Sequence, residues 1–315
     1  MESLHRNNDY VIRQYPLVSI VTVNYNQTEV TRDLLASLEI ITYPSVEIIV
    51  VDNGSRDNSV LSLKEEFPSI KVIQTRKNLG FAGGNNIGIN EGKGEFFLLV
   101  NNDVVVTQTF LEPLVDALMD NANAGLASPR ILYYDTKEII QYAGAVKIST
   151  LTGRGRKIGH LQTDVGQFNS VRNTGLGHGA CLLIANKVIQ SVGLLPEEYF
   201  LYYEEHDFTE QAKSKGFGVY YVGTAKVYHK ESVSIGRTSP LKTFYQARNR
   251  ILYLKRNSSP FMLIIFLLFF FLIAVPKRTI KYLIQKDFEN LKAYLTGISS
   301  HVNFQKYGRL SEEEA

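Results

Sequence analysis

An α/β fold with a mostly parallel central sheet is predicted by two observations. β-Branched apolar runs alternate with helix-patterned segments in the first half of the chain, and three of those runs end in crowded polar groups. The strand-like runs are 18–23, 46–51, 71–74 and 96–100, and the helix patterns lie near 29–38, 59–67 and 84–91. In such sheets ligands gather beyond the carboxyl ends of the strands. Those positions hold Asn24, Tyr25 and Asn26 after the first run, Asp52 to Ser55 after the second, and Asn101, Asn102 and Asp103 after the fourth.

With 315 residues and 44% hydrophobic content, the chain can bury a full core in one large domain and leave a shorter segment over. The formal charge of +3 is mild and no Lys/Arg stripe interleaves with aromatics, so no nucleic-acid partner is expected. Cys181 is alone, which excludes an intramolecular disulfide; in the apolar run 180–185 it reads as a buried, inert thiol. The first ten residues carry charge and no apolar core, so no secretory signal is expected and the chain should stay on the cytosolic side.

The stretch 131–175, rich in Gly, Thr and Arg, is expected to form loops or short hairpins, and apolar runs return at 180–184, 218–222 and 226–228. Residues 261–275, FMLIIFLLFFFLIAV, form an uninterrupted apolar stretch flanked by Lys255, Arg256, Lys277 and Arg278. As a helix it would extend only ~22 Å against a hydrocarbon core of ~30 Å, which favours monotopic or re-entrant insertion over spanning. Beyond it Ile280, Leu283, Ile284, Phe288, Leu291 and Leu295 recur at helical spacing, as in a helix lying on a membrane or packed on the catalytic domain. The expected division is an extension (1–15), a catalytic domain (16–256) and a membrane-association segment (257–315), with 257–260 as the break.

Each polar strand end has a chemical reading. Asp52 opens DNGSRDNS, where a carboxylate can accept from a nucleobase N–H; capping of the next helix falls better to Asp57 or Asn58. The glycines of 77–88, KNLGFAGGNNIG, allow close backbone approach, and their Asn neighbours can bond base, ribose or phosphate. The loop lacks the ending of a P-loop and the spacing of a dinucleotide fingerprint. Asp103 offers hard oxygen to Mg2+ or Mn2+, ions that borrow remaining ligands from substrate phosphates. A departing nucleoside diphosphate develops negative charge that such a cation neutralises. Glu204, Glu205 and Asp207 crowd together after an aromatic run, so that mutual repulsion raises a pKa toward general-base duty; acidic first-turn residues of a helix are the structural alternative. His229 can complete a metal shell, and Arg248, Asn249 and Arg250 can clamp a diphosphate.

Taken together, VSIVTVNYN, IIVVDNGSRDNS, NLGFAGGNNIGI, LLVNNDVVV, GACLLI, FLYYEEHDF, VYHKES and YQARNR, in this order from residue 17 to about 256, resemble the inverting family-2 glycosyltransferases, especially the bacterial rhamnosyltransferase-like branch. The resemblance implies a GT-A-type fold. It also implies that Tyr25, Asn26 and Asp52 hold the nucleotide's base end, that Asn78, Gly80, Phe81 and Asn86 shape the nucleotide pocket beside Asn102, and that Asp103 holds the metal. By the same resemblance Glu205 is the base, with Asp207 as its rival, His229 lies near metal and diphosphate, and Arg248 and Asn249 are assigned to the diphosphate. The chain departs from the family's common patterns in having Glu204-Glu205 for Glu-Asp and Asn101-Asn102-Asp103 for Asp-x-Asp.

These features together imply a metal-dependent inverting glycosyltransferase on the cytoplasmic face of a membrane. It would move a sugar, rhamnose from dTDP-rhamnose or a UDP-linked hexose, to a lipid-linked or surface-polysaccharide hydroxyl. A non-catalytic membrane-bound nucleotide-sugar binding protein and a sugar nucleotidylyltransferase are the alternatives. The latter wants a Gly-rich basic loop after the first strand, where Asn24, Tyr25, Asn26 and Gln27 stand.

Overall fold

The computed structural model describes residues 15–56, 59–231 and 239–301. Asp57 and Asn58, Ser232 of the VYHKES segment, residues 1–14 of the extension and residues 302–315 lie outside the described residues.

Three crossover units come first: β1 (Val18–Asn24), α1 (Thr28–Leu38), β2 (Val46–Asp52), a 3-10 turn leading into α2 (Ser62–Glu66), β3 (Lys71–Gln74), α3 (Gly80–Glu91) and β4 (Phe96–Val100). Next come β5 (Val104–Val106), α4 (Leu111–Met119), β6 (Ala124–Tyr133), β7 (Ile140–Tyr142), the hairpin β8 (Ala145–Val146) and β9 (Arg156–Lys157), β10 (Val171–Asn173), β11 (Cys181–Ala185), α5 (Asn186–Val192), α6 (Glu204–Ser214) and β12 (Gly218–His229). Helices α7 (Pro240–Asn257), α8 (Pro260–Phe269), α9 (Val275–Ile284) and α10 (Phe288–Ser299) close the described chain.

One mixed, mostly parallel sheet runs in the order β10-β12-β6-β11-β4-β1-β2-β3, with β5 added to β12 and β7 to β6. Strands β3, β2, β1 and β4 are parallel, and β11 runs against both β4 and β6. Strand β4 is buried at every residue, and Ile20 and Leu98 are wholly inaccessible. Each such side chain removed from water favours the fold by about 1.5–3 kcal/mol before entropy is counted. The register sets Asn24 beside Asp52 and Asp52 beside Gln74, so three polar groups meet at one carboxyl edge.

Several elements differ from expectation. Helix α3 begins at Gly80, so the glycine-rich stretch is mostly helix rather than loop. A Cβ on Gly88 would come within 2.2 Å of Val21 Cγ1, so this glycine lets the helix lie on β1 and does not face a phosphate. Strand β6 is fully buried yet passes through Ser128, Pro129 and Arg130, two polar residues and a strand breaker that hide a strand in the sequence. Pro129 stands opposite Val222 of β12, where the register then shifts to the Lys226–Arg130 pair, and it lies past Leu126 and Ala127, the residues of this strand that pair with β11; a proline is accommodated at such an irregularity.

The C-terminal apolar helix is also longer than its apolar stretch. Pro260–Ile284 is one helical run of 25 residues, about 37 Å at the usual rise. The π-helical turn Phe270–Ala274 lies immediately before Val275 and Pro276, where the missing N–H and the ring of proline disturb ordinary helical bonding. The amphipathic pattern at 280–295 is split: α9 stops at Ile284, Lys286 turns at φ 54°, and the Asp287 side chain caps α10 by accepting from Asn290 N at 3.2 Å. Helix α10 packs on α7, with Asn290 Oδ1 accepting from the Thr243 hydroxyl and Gly297 lying against the Phe244 backbone. Its stripe residues Phe288 and Leu295 face outward with Ile280, Leu283 and Ile284.

Candidate active site

The strand ends and α6 converge on a cavity of about 770 Å³ lined by Phe81, Asn101, Asp103, His178, Glu205 and His229, with Arg154, Lys157, Lys242, Arg250 and Arg278 also in its wall. Asp103 sits in the turn between β4 and β5, and His229 ends β12, which pairs with β5. This pairing carries His229 Nε2 to 3.0 Å from Asp103 Oδ1. The other ring nitrogen, Nδ1, lies 2.9 Å from Gln141 Oε1, and Gln141 Nε2 donates to Glu231 Oε2 at 2.6 Å. A carboxylate can only accept, so the amide orientation is fixed and Nδ1 must be the imidazole's donor. Nε2 then faces Asp103 with a lone pair in the neutral ring, and neither atom finds a hydrogen bond. Two buried acceptors with this spacing, backed by a bonded second nitrogen, fit a divalent cation between them. Among the described residues no set of three or more His, Cys, Asp or Glu groups could hold an ion, so such a cation would need the donor's phosphates as further ligands.

Glu205, in the first turn of α6, lines the same cavity, and its Oε2 is buried without a hydrogen-bond partner. The bare backbone of Gly179 leaves it room, since a Cβ there would lie 3.3 Å from Oε1. His206 Nδ1 is 3.7 Å from the same oxygen. Glu204 is buried, and burial first, then Glu205, hold its carboxyl well above the usual range. The predicted mutual repulsion thus falls on Glu204.

Asp207 turns away from the cavity. Its carboxylate accepts from the Tyr199 hydroxyl at 2.7 Å, from Gln211 Nε2 at 3.0 Å and from Arg256 Nε. Arg248 and Asn249 do not reach the cavity as a diphosphate clamp. Asn249 Nδ2 donates to the carbonyls of Tyr199, Leu201 and Tyr202 at 2.7–3.0 Å, and Arg248 Nη1 donates to Glu198 O at 2.8 Å. They hold the aromatic loop before α6, in which Phe200, Tyr202 and Tyr203 all have positive φ. Three non-glycine residues in that region cost about 1 kcal/mol or more each and persist only where surrounding bonds over-determine them. Arg250 does line the cavity.

At the carboxyl edge of β1, β2 and β3, Asp52 Oδ1 accepts from Asn24 Nδ2 at 2.9 Å and from the Ser55 hydroxyl, and Oδ2 accepts from Gln74 Nε2 at 3.3 Å. Asn26 N donates to Ser55 Oγ at 2.9 Å, so both strand-end loops are joined, and half-buried Tyr25 belongs to the first of them. Asn78 Oδ1 accepts from Gly80 N, holding the start of α3, and Asn102 Nδ2 donates to Thr31 Oγ1. Gly80 has φ +74°, and its bare Cα lets the Phe200 carbonyl accept from Phe81 N at 2.7 Å. Asn86 is spent elsewhere: it donates to Leu195 O and Glu197 and accepts from Leu195 N, tying α3 to the segment before α6.

Gln141 was not evident from the sequence, since its bond to His229 spans 88 positions and starts in a stretch without periodicity. Asn24 and Ser55 as partners of Asp52 could have been found, because parallel register places consecutive strand ends side by side.

A profile of the family described as Glycosyl transferase family 2 matches residues 19–191, more than half of the chain. The chain is 28% identical over 240 residues to the low-salt glycan biosynthesis hexosyltransferase Agl10 of Haloferax volcanii, covering 75% of this chain and 74% of that one. It is 25% identical over 248 residues to the N-acetylglucosaminyl-diphospho-decaprenol L-rhamnosyltransferase of Mycobacterium tuberculosis, covering 70% and 78%. The solved mannosyltransferase PcManGT from Pyrobaculum calidifontis, in complex with GDP-Man and Mn2+, is similar with a TM-score of 0.55 at 14% identity, over 94% of this chain and 77% of that one. Two further solved structures match over only 46% and 43% of their own lengths. These structural likenesses show the fold, which is of GT-A type.

Proposed function

The chain belongs to glycosyl transferase family 2 and is a glycosyltransferase, and we propose that it inverts the sugar it moves from a nucleotide-sugar donor to a lipid-linked or cell-surface glycan hydroxyl. The donor proposed is dTDP-rhamnose, on the strength of the rhamnosyltransferase-like motifs and of a relative that is an L-rhamnosyltransferase; UDP-linked hexoses are the second choice. The observation that carries the reading is Glu205 Oε2, buried without a partner in the cavity that also holds Asp103 and His229.

In this mechanism the edge formed by Tyr25, Asn26, Asp52, Asn78, Gly80, Phe81 and Asn102 receives the nucleotide. Asp103 and His229 would hold Mg2+ or Mn2+, which supplies positive charge to the departing diphosphate. Glu205 takes the proton of the acceptor hydroxyl as that oxygen bonds to the anomeric carbon. The bond from that carbon to the diphosphate oxygen breaks on the opposite face, and the configuration inverts. Asp207, Arg248 and Asn249 act as supports: they hold α6 and the loop that present Glu205. The helix Pro260–Ile284, with its apolar outer face, would keep this site at the cytoplasmic face of a membrane. The extension 1–15, catalytic domain 16–256 and membrane segment 257–315 remain the proposed division, with α10 returning to cover α7.

The test is turnover by the full chain with dTDP-rhamnose and with UDP-linked hexoses, each with Mn2+, Mg2+ or EDTA, in membranes containing candidate acceptors. Release of nucleoside diphosphate that requires both acceptor and cation supports the reading. Absence of release with every donor overturns it.

A further inference from the structure

Beside the catalytic cavity lies a second one of about 820 Å³, walled by α9, the end of α8 and the loop before β9. Arg154, Arg250 and Arg278 line both cavities and mark their junction. On one side are Glu205 and Asp103; on the other are Phe269, Ile273, Ala274, Ile280 and Ile284.

The junction is built to keep cations together. Gly153 has φ +61°, and a Cβ there would come within 2.9 Å of Arg250 Cγ, so the glycine allows its loop to lie on Arg250 with Arg154 next in the chain. Arg250 Nε donates to Thr152 O at 2.6 Å, and its guanidinium lies 4.8 Å from the centre of the Phe270 ring. Arg278 Nη2 donates to the Tyr282 hydroxyl at 2.8 Å. Among the described residues none of the three arginines pairs with a carboxylate, and the second cavity adds Lys277 and Lys281 without any acidic lining residue. Burial, and then Arg154, pull Arg250 down to about 10. Like charges gathered around a partly buried guanidinium are unfavourable until an anion joins them.

We propose that this junction binds the diphosphate of the acceptor lipid, its sugar reaching toward Glu205 and its apolar chain lying in the second cavity along α8 and α9. The order of the three surfaces, carboxylate, arginines, apolar wall, matches the order of sugar, diphosphate and hydrocarbon in such a molecule. The inference rests on the reading of this chain as a transferase with a lipid-linked acceptor, and names the groups that would recognise it.

The experiment is calorimetric titration of the full chain in detergent with farnesyl diphosphate, farnesol or inorganic diphosphate, and in nanodiscs with and without phosphatidylglycerol. Farnesyl diphosphate should bind at least tenfold tighter than either of its parts. The double variant Arg154→Gln/Arg278→Gln should lose tenfold or more of that affinity while binding dTDP-rhamnose within twofold of the parent, and Arg278→Lys should retain most of it. Ile273→Asn should weaken farnesyl diphosphate and leave inorganic diphosphate unchanged. Farnesyl diphosphate binding indifferent to the double variant would overturn the proposal. So would a parallel loss of donor affinity, which would assign the arginines to the donor, or equal competition by phosphatidylglycerol, which would make the groove a general bilayer contact. Binding is read without turnover, so a chain that binds in the expected way but transfers no sugar supports this site and counts against the proposed reaction alone.

Discussion

His229 Nε2 stands 3.0 Å from Asp103 Oδ1, and no hydrogen bond joins them. The contact is oriented from behind, through Gln141 to Glu231. If a cation sits between the two atoms, Asp103→Ala should abolish metal-dependent donor binding. Gln141→Leu should cost about 10–100-fold in metal affinity, the usual effect of removing such a support. Donor binding titrated against Mn2+ reads both, and an unchanged Mn2+ dependence would remove the pair from this role.

Glu205 and Asp207 separate by environment. If Glu205 is the base, Glu205→Gln should abolish transfer and leave donor affinity within about twofold, because only a proton acceptor is lost. Asp207→Asn should instead reduce stability by about 1–3 kcal/mol, since Tyr199, Gln211 and Arg256 all bond that carboxylate. Initial rates set beside thermal melts distinguish the two, and the reverse pattern would make Asp207 the base.

Asn249→Ala should loosen the loop of positive-φ residues before α6, because one amide group serves three of its carbonyls. A loss of about 2 kcal/mol and a fall of several degrees in Tm are expected. Turnover should fall with donor affinity little changed, as measured by steady-state kinetics. Donor affinity falling as steeply as turnover would return this residue to the diphosphate.

The Glu204 carboxyl is raised by burial and by Glu205, so the folded chain favours its protonated form. Its contribution to stability is complete below the ordinary carboxylate value and is lost as pH rises through the raised value. Glu204→Gln, neutral at every pH, should therefore flatten the decline of Tm above about pH 5. Parallel melting curves for parent and variant would show that Glu204 is ionised throughout.

Cutting the chain before Pro260 would also strip α10 from α7, so it tests more than membrane contact. A cleaner change is Phe261→Ser, Leu268→Ser and Leu272→Ser together, all exposed and outside the second cavity. The variant should melt near the parent and move from the pellet to the supernatant on membrane sedimentation. Continued pelleting with a normal melt would place the anchor elsewhere.

Much of this protein is legible in the order of its residues. The alternation of β-branched strands with helices announces the parallel half of the sheet, and the polar residues just past each strand announce Asp52 and Asp103. Period and strand-end position are local properties that survive in a string of letters. Strand β6 is not legible, because burial on both faces erases alternation and Pro129 mimics a break. The glycines of α3 hide their role for a related reason: Gly88 serves a contact with Val21 that is distant in sequence.

The sequence by itself therefore determined the fold class, the family and a list of candidate site residues. The tertiary structure decided their division of labour. Glu205, Asp103 and His229 reach one cavity, while Asp207, Arg248, Asn249 and Asn86 spend their polar atoms on backbone and neighbouring side chains. Residue type fixes which bonds a group can make, but a side chain has few bonding sites, and only packing decides which partners fill them and which atoms remain free for a substrate.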